Sequence, residues 1–157
     1  MMILTGASYT INNAMWFRGK FTGPELQATI KRLDEYIESE DAKKTGKVIT
    51  AIHTIYLENR SSDIELFVII DGVIPSCKEF SYIQTLSLSD CIMTKYNGSL
   101  HLLPDVYREL CHKAREIGLT AKQPFYNVSN GEIIGSWINY EIEVDIYATL
   151  EYKCSRK

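Results

Sequence analysis

The sequence predicts an α+β fold: two related strand-helix-strand-strand halves, forming an antiparallel sheet with both helices on one face and a cleft between the halves. Two observations predict it. Two amphipathic helical stripes lie 77 residues apart, and each is preceded by extended sequence and followed by two strand-like segments. Leu26, Ile30, Leu33 and Ile37 map by that shift onto Leu103, Tyr107, Leu110 and Ala114, and a shift of 78 carries Glu65 onto Glu143. The repeats are residues 1–72 and 78–157 of a single domain, 1–157. The join, Gly72 to Lys78, is too short and apolar for a flexible linker.

The elements follow in order. Ile3 to Phe21 is extended. Thr22 caps a first helix in which Pro24 is tolerated at the first turn, and the helix ends before Thr45-Gly46. Lys47 to Leu57 is β-branched and aromatic, and Asp63 to Ile70 alternates before stopping at Asp71-Gly72. Phe80 to Tyr96 is extended again, with a turn signal at Asn97-Gly98. The second helix opens near Leu103-Pro104, buries Leu103, Val106, Leu110, Ala114 and Ile117, and stops at Gly118, where a left-handed cap is usual. Lys122 to Val128 is a short strand candidate and Asn139 to Tyr152 a long one.

Composition bounds the function. A chain of 157 residues can build its own core without a metal or disulfide. Its 17 Lys and Arg against 20 Asp and Glu give a net charge of −3, with the basic residues scattered, which argues against direct nucleic-acid binding. No apolar run approaches the roughly 20 residues of a membrane helix, and no signal-peptide pattern opens the chain. The four cysteines, Cys77, Cys91, Cys111 and Cys154, form no CxxC pair, so free thiols in a reducing cytoplasm are expected. His53, His101 and His112 form no metal-ligand spacing and read as surface or structural. With no P-loop and no GxGxxG either, no metal and no cofactor are expected.

The last strand is the most informative segment. Ile142, Val144, Ile146, Ala148 and Leu150 share one face, the core face under the helices; Glu141, Glu143, Asp145, Tyr147 and Thr149 share the other. Three carboxylates in a row repel one another, and acids are poor strand formers. A solvated face is the plain explanation. The functional one is an acid-floored ligand cleft that attracts a cationic aromatic molecule by ion pairing and cation–π contact. The first half carries a weaker version, with Asp63, Glu65, Phe67 and Ile69 on one face. Trp137, Tyr147, Phe67, Trp16, Tyr96 and Tyr126 are the candidate aromatic walls.

The stretch from Cys91 to Tyr107 resembles the GyrI-like effector-binding domain, in which a strand runs into a Gly-Pro-Tyr turn, then Leu-Pro, then an aromatic three residues on. Gly98, Leu103, Pro104, Tyr107 and the closing Gly118 match that pattern. Ser99 and Leu100 replace the Pro and Tyr, and the proline of the family's last strand is absent. Two registers of that strand place the family's pocket acid at Glu141 or Asp145, and length counted from Gly98 falls between Glu143 and Asp145.

The resemblance covers the whole chain. It implies a stand-alone member of a family whose other members serve as sensor domains of AraC- and MerR-type multidrug-responsive regulators. Three functions follow, in this order: a binder of hydrophobic or cationic small molecules; a hydrolase of electrophilic, cyclopropanoid-type compounds, as some stand-alone members are; and a protein-interaction module, as the gyrase-inhibiting members suggest. Whether the chain is an enzyme is left open. As a hydrolase, it would use Glu143, Glu141 or Asp145 as general base, activated by burial beside another carboxylate.

Overall fold

The structure, a computed structural model, describes residues 1–130 and 141–152. Its order is β1 (Ile3–Thr22), α1 (Gly23–Ser39), β2 (Lys43–Tyr56), β3 (Ser61–Asp71), β4 (Ser81–Ser99), a single 3-10 turn (Leu100–Leu102), α2 (Leu103–Glu116), β5 (Leu119–Ala121), β6 (Tyr126–Asn130) and β7 (Glu141–Tyr152). Strand, helix, strand, strand occurs twice, with the short β5 as an extra strand in the second half; the strands pair antiparallel, and the fold is α+β.

The helices form where the apolar periodicity places them, except that the second ends at Glu116 and leaves Ile117, expected in its buried stripe, exposed; they are also capped differently. Thr22 accepts from the Glu25 amide, while the Glu25 carboxylate accepts from the Thr22 amide, a complete capping box. Hydrogen bonding to the carboxylate from the Thr22 backbone, and then from its side chain, holds the Glu25 carboxyl below its ordinary range. At α2 no side chain caps the N-terminus; Pro104 sits in the first turn, and Lys113 and Arg115 lie in the last turn, where cations suit the helix dipole. The first helix ends before Thr45-Gly46, as expected, but the strand after it begins earlier than Lys47. Glu40 caps it, Asp41 takes a left-handed φ of 58°, and β2 begins at Lys43, running through Thr45-Gly46 with a register shift between Lys44 and Val48.

Two other expectations need correction. Asn97-Gly98 is not a turn, because β4 continues to Ser99 and Gly98 pairs with Ile142. A Cβ on Gly98 would lie 2.9 Å from the Tyr96 hydroxyl, which donates to the Ser99 carbonyl at 2.6 Å. The glycine admits a tyrosine and does not reverse the chain. Of the candidate strand at Lys122 to Val128 only the last three residues are strand, the start of β6; β5 ends at Ala121, before the segment begins.

The described chain forms two compact units, Thr10–Leu86 and Met1–Tyr9 with Ser87–Lys157. They do not coincide with the two sequence repeats. The first nine residues join the second half, and Gly72 to Leu86 join the first. In the unit Thr10–Leu86, β3 lies between β1 and β2. Phe80 contacts the rings of both Phe17 in β1 and Tyr36 in α1, which identifies the Phe17 face as the helix-bearing one. Phe17, Ile64, Leu66, Val68 and Thr50 are buried there, and α1 buries Thr29, Leu33 and Ile37. In the other unit, β7 lies between β4 and β6 and also pairs with β5. Ile92, Ile142, Val144, Ile146 and Ala148 form one core with Leu103, Val106, Leu110 and Ala114 of α2, with Leu150 packed at its margin. That is the parity the last strand predicts.

Backbone landmarks establish which residues correspond. The three buried positions of α1 fall on buried positions of α2 at a shift of 77. Three further pairs share this shift: the ends of β1 and β4, Thr22 and Ser99; the left-handed residues inside them, Asn13 and Asp90; and the left-handed residues after the helices, Asp41 and Gly118. Strand pairing then sets the last strand. Thr22 lies opposite Ser61 and Ser99 opposite Glu141, so β3 maps onto β7 at a shift of 80. The counterpart of Glu65 is therefore Asp145. The 78-residue match to Glu143 is corrected, because the paired residues Val128 and Asp145 are three residues further apart in sequence than their counterparts Ala51 and Glu65.

Candidate functional site

Each unit presents a helix-free sheet face, and the two faces are built from corresponding rows. In the unit Thr10–Leu86, one row is Trp16, Phe67 and Ile49, and the next is Arg18, Glu65 and Ala51. In the other, the rows are Met93, Tyr147 and Tyr126, then Lys95, Asp145 and Val128. Each unit thus places a cation opposite an acid on the neighbouring strand, with an aromatic residue of that acid's strand in the adjacent row.

The first face holds a compact polar group. The Trp16 indole donates from Nε1 to Glu65 Oε1 at 3.0 Å, and His53 Nε2 lies 2.5 Å from Glu65 Oε2. The side chains of His53 and Glu65 are 20% and 15% exposed, so the pair is largely withdrawn from water. His53 reaches this place through a β-bulge: Ile52 pairs with Ile64 and Thr54 with Asp63, leaving His53 unpaired between them. Such an extra residue bends the strand and redirects its side chain. Arg18, although opposite Glu65, turns to Asp63 and donates from both Nε and Nη2 at 3.1 and 3.0 Å. This contact holds the Asp63 carboxyl below its ordinary range and raises the Arg18 guanidinium further. Phe67 is buried beside the group.

The acid of the second face is more exposed. Lys95 Nζ approaches Asp145 Oδ1 at 3.4 Å, with side chains 80% and 35% exposed. Tyr9 and Tyr147 stack with centroids 5.1 Å apart, and burial, followed by the Asp145 charge, pushes both phenols above their ordinary range. Glu143 is exposed and lies opposite Asn97.

The residues singled out in the sequence fall into three groups. Trp16, Glu65 and Phe67 come together on one face, and Asp145, Tyr147 and Tyr126 on the other, with Glu143 further along the same strand. Tyr96 does not join them: it pairs with Val144 on the helix-bearing face and packs against the core there. Trp137 lies outside the described residues, and of Glu141 only the backbone, opposite Ser99, is described. His53, Lys95 and Tyr9 were not singled out. Lys95 could have been found, since it lies 77 positions after Arg18. Nothing in the sequence announces the bulge that brings in His53.

No group of three or more His, Cys, Asp or Glu side chains able to hold a metal occurs among the described residues. Cys77, Cys91 and Cys111 are free, and Cys154 lies outside the described residues. None of the helices among those residues is long and apolar enough to cross a membrane.

No protein-family model and no curated protein matches the sequence. Solved structures do. The C-terminal domain of EcmrR superposes with a TM-score of 0.64 at 13% identity, over 98% of this chain and 100% of that domain. EcmrR in its complex with DNA gives 0.65 at 13% identity over 96% of this chain, which spans 58% of the EcmrR chain. An uncharacterized conserved protein from Listeria innocua gives 0.57 at 6% identity, over 92% and 91% of the two chains. The chain has the GyrI-like effector-binding fold, with the architecture of the EcmrR C-terminal domain.

Proposed function

We propose that this protein binds small amphipathic molecules carrying a positive charge and an aromatic body, and that its helix-free sheet faces receive them. The observation that carries the reading is the Glu65 group: a carboxylate only 15% exposed, fixed between an indole and an imidazole, with Phe67 buried alongside. A mostly apolar surface with one oriented charge is the usual composition of a small-molecule site, and an indole adds cation–π attraction. Asp145, with Tyr147 and Tyr126 nearby, is the corresponding acid in the other unit and the second candidate contact. The fold supports a sensor role, since EcmrR forms a complex with DNA and its C-terminal domain shares this architecture. Here the chain is read as an effector-binding domain of that kind rather than as a hydrolase of electrophilic, cyclopropanoid-type small molecules. Glu143, the middle carboxylate of the last strand, is exposed, which removes the burial that would make it a general base.

The test is a titration with ethidium, a flat aromatic cation, read by its fluorescence. Glu65→Gln or Asp145→Asn should weaken binding about tenfold or more, roughly 1.4 kcal/mol, with circular dichroism unchanged. Unchanged affinity in both variants would sink the proposal.

A further inference from the structure

Glu65 differs from an open receptor for a cation in one respect: both of its oxygens are already engaged. Oε1 accepts from Trp16, and Oε2 faces His53 at 2.5 Å. The other charges around the pair are committed elsewhere. On β1, Arg18 is held by Asp63 through two bonds, and Lys20 lies over the Tyr56 ring at 4.0 Å. On β3, the neighbouring acid is Asp63, which feels both Arg18 and His53. On β2, the titratable side chain at the site is His53 itself. Of the two groups holding the carboxylate, the indole keeps its proton throughout the physiological range, whereas histidine changes charge between about pH 5 and 8.

Building on the reading that Glu65 receives the ligand's charge, we infer that His53 is the specificity-determining residue of that site: an internal cation that a ligand must displace from Oε2. When protonated, His53 competes with the ligand for one carboxylate oxygen. A cation that takes the oxygen leaves the imidazolium without its partner, and the imidazolium gives its proton to solvent. Trp16 keeps Oε1 throughout and holds the carboxylate in place for the exchange. The bulge fits this role, because a residue unpaired in its strand can turn aside without breaking a ladder hydrogen bond. The site therefore selects permanently charged cations over weak or neutral ligands, and does so more tightly as pH rises. The sign follows from mass action: the ligand-bound form carries fewer protons, so raising pH favours it. In the other unit, the residue at the corresponding position of the shifted strand is Asn130, which does not titrate.

The experiment uses the full chain and tetraphenylphosphonium, whose charge does not change with pH. Calorimetric titrations at about pH 5.5 and 8, each in two buffers of different ionisation enthalpy, give affinity and proton release together. Wild type should bind about tenfold tighter at the higher pH and release up to one proton per ligand at the lower. His53→Gln should bind within about twofold at both pH values and release correspondingly less. The linked proton is read as the difference between wild type and this variant. The ring-nitrogen signals of His53 in a long-range proton–nitrogen spectrum should move from charged to neutral on adding ligand at the lower pH, a change that a purely structural histidine would not show. If His53→Gln keeps the full pH slope while Glu65→Gln weakens binding, the inference is wrong and the binding proposal stands. If Glu65→Gln binds as wild type does, the inference fails together with the reading that Glu65 receives the charge, and Asp145→Asn then decides the binding proposal.

Discussion

The two units repeat their frame and not their polar faces. Helix stripes, strand ends and left-handed residues recur at one spacing, and an acid faces a cation at the same row of each sheet. Around those acids the surroundings diverge. Glu65 is enclosed, with an indole on one oxygen and an imidazole on the other; Asp145 meets a mostly exposed lysine at 3.4 Å. The difference teaches where duplicated sequence is constrained. Core positions must fill space, so the apolar pattern is preserved; the helix-free faces are free to specialise, and only the placement of the charge has been kept.

The comparison can be broken first at the frame. Leu33 and Leu110 are each 0% exposed and correspond by the 77-residue shift. Leu33→Ala and Leu110→Ala should each destabilise by about 2–5 kcal/mol, measured by urea unfolding. A loss below about 1 kcal/mol in either would mean that the two helices are not equivalent supports.

The polar faces should then separate. Glu65→Ala strips the Trp16 indole and His53 of their shared partner in a largely dry setting, and should cost about 1–3 kcal/mol. Asp145→Ala removes one half of an exposed pair and should cost less than about 1 kcal/mol. Equal losses would erase the distinction between enclosed and open acids.

The smallest effect is on acid stability. The Asp63 carboxyl is held below its ordinary range by hydrogen bonds from Arg18. A depressed folded-state value means that its stabilisation is present above the ordinary carboxylate range and is lost as pH falls through that range. Asp63→Asn should therefore reduce stability near neutrality and flatten its acid limb slightly. Unfolding midpoints between about pH 7 and 3 would show this, and an unaltered limb would remove the Arg18 contact from the account.

Much of the fold is legible in the sequence because apolar periodicity is a local signal. Leu33, Ile37, Leu110 and Ala114 lie where the helical stripe places them, and Ile142 to Ala148 face the core as strand parity requires. Glycine was read less well: Gly98 signals a turn by type, yet its role depends on a tyrosine two residues away across the strand surface. The site was legible in part. Parity assigned Glu65, Phe67 and Asp145 to helix-free faces, but not which acid of the last strand corresponds to Glu65; that needed strand pairing. His53 was missed because an alternating pattern cannot reveal a bulge, and Tyr96 was misplaced because an aromatic residue suits a wall and a core equally.

One consequence follows from the way the long strands β1 and β4 are shared. The first unit is one continuous stretch, Thr10 to Leu86, so all of it is synthesised before Ser87 and the residues that follow. The second unit draws its first nine residues from the start of the chain and the rest from the end. The Thr94 hydroxyl, which donates to the Met2 carbonyl at 2.6 Å, closes a loop across 92 residues. Met1–Tyr9 must therefore wait for residues made after Leu86. Contacts of such long sequence separation form slowly, so assembly is ordered, with the Glu65 unit able to complete itself first and the Asp145 unit last.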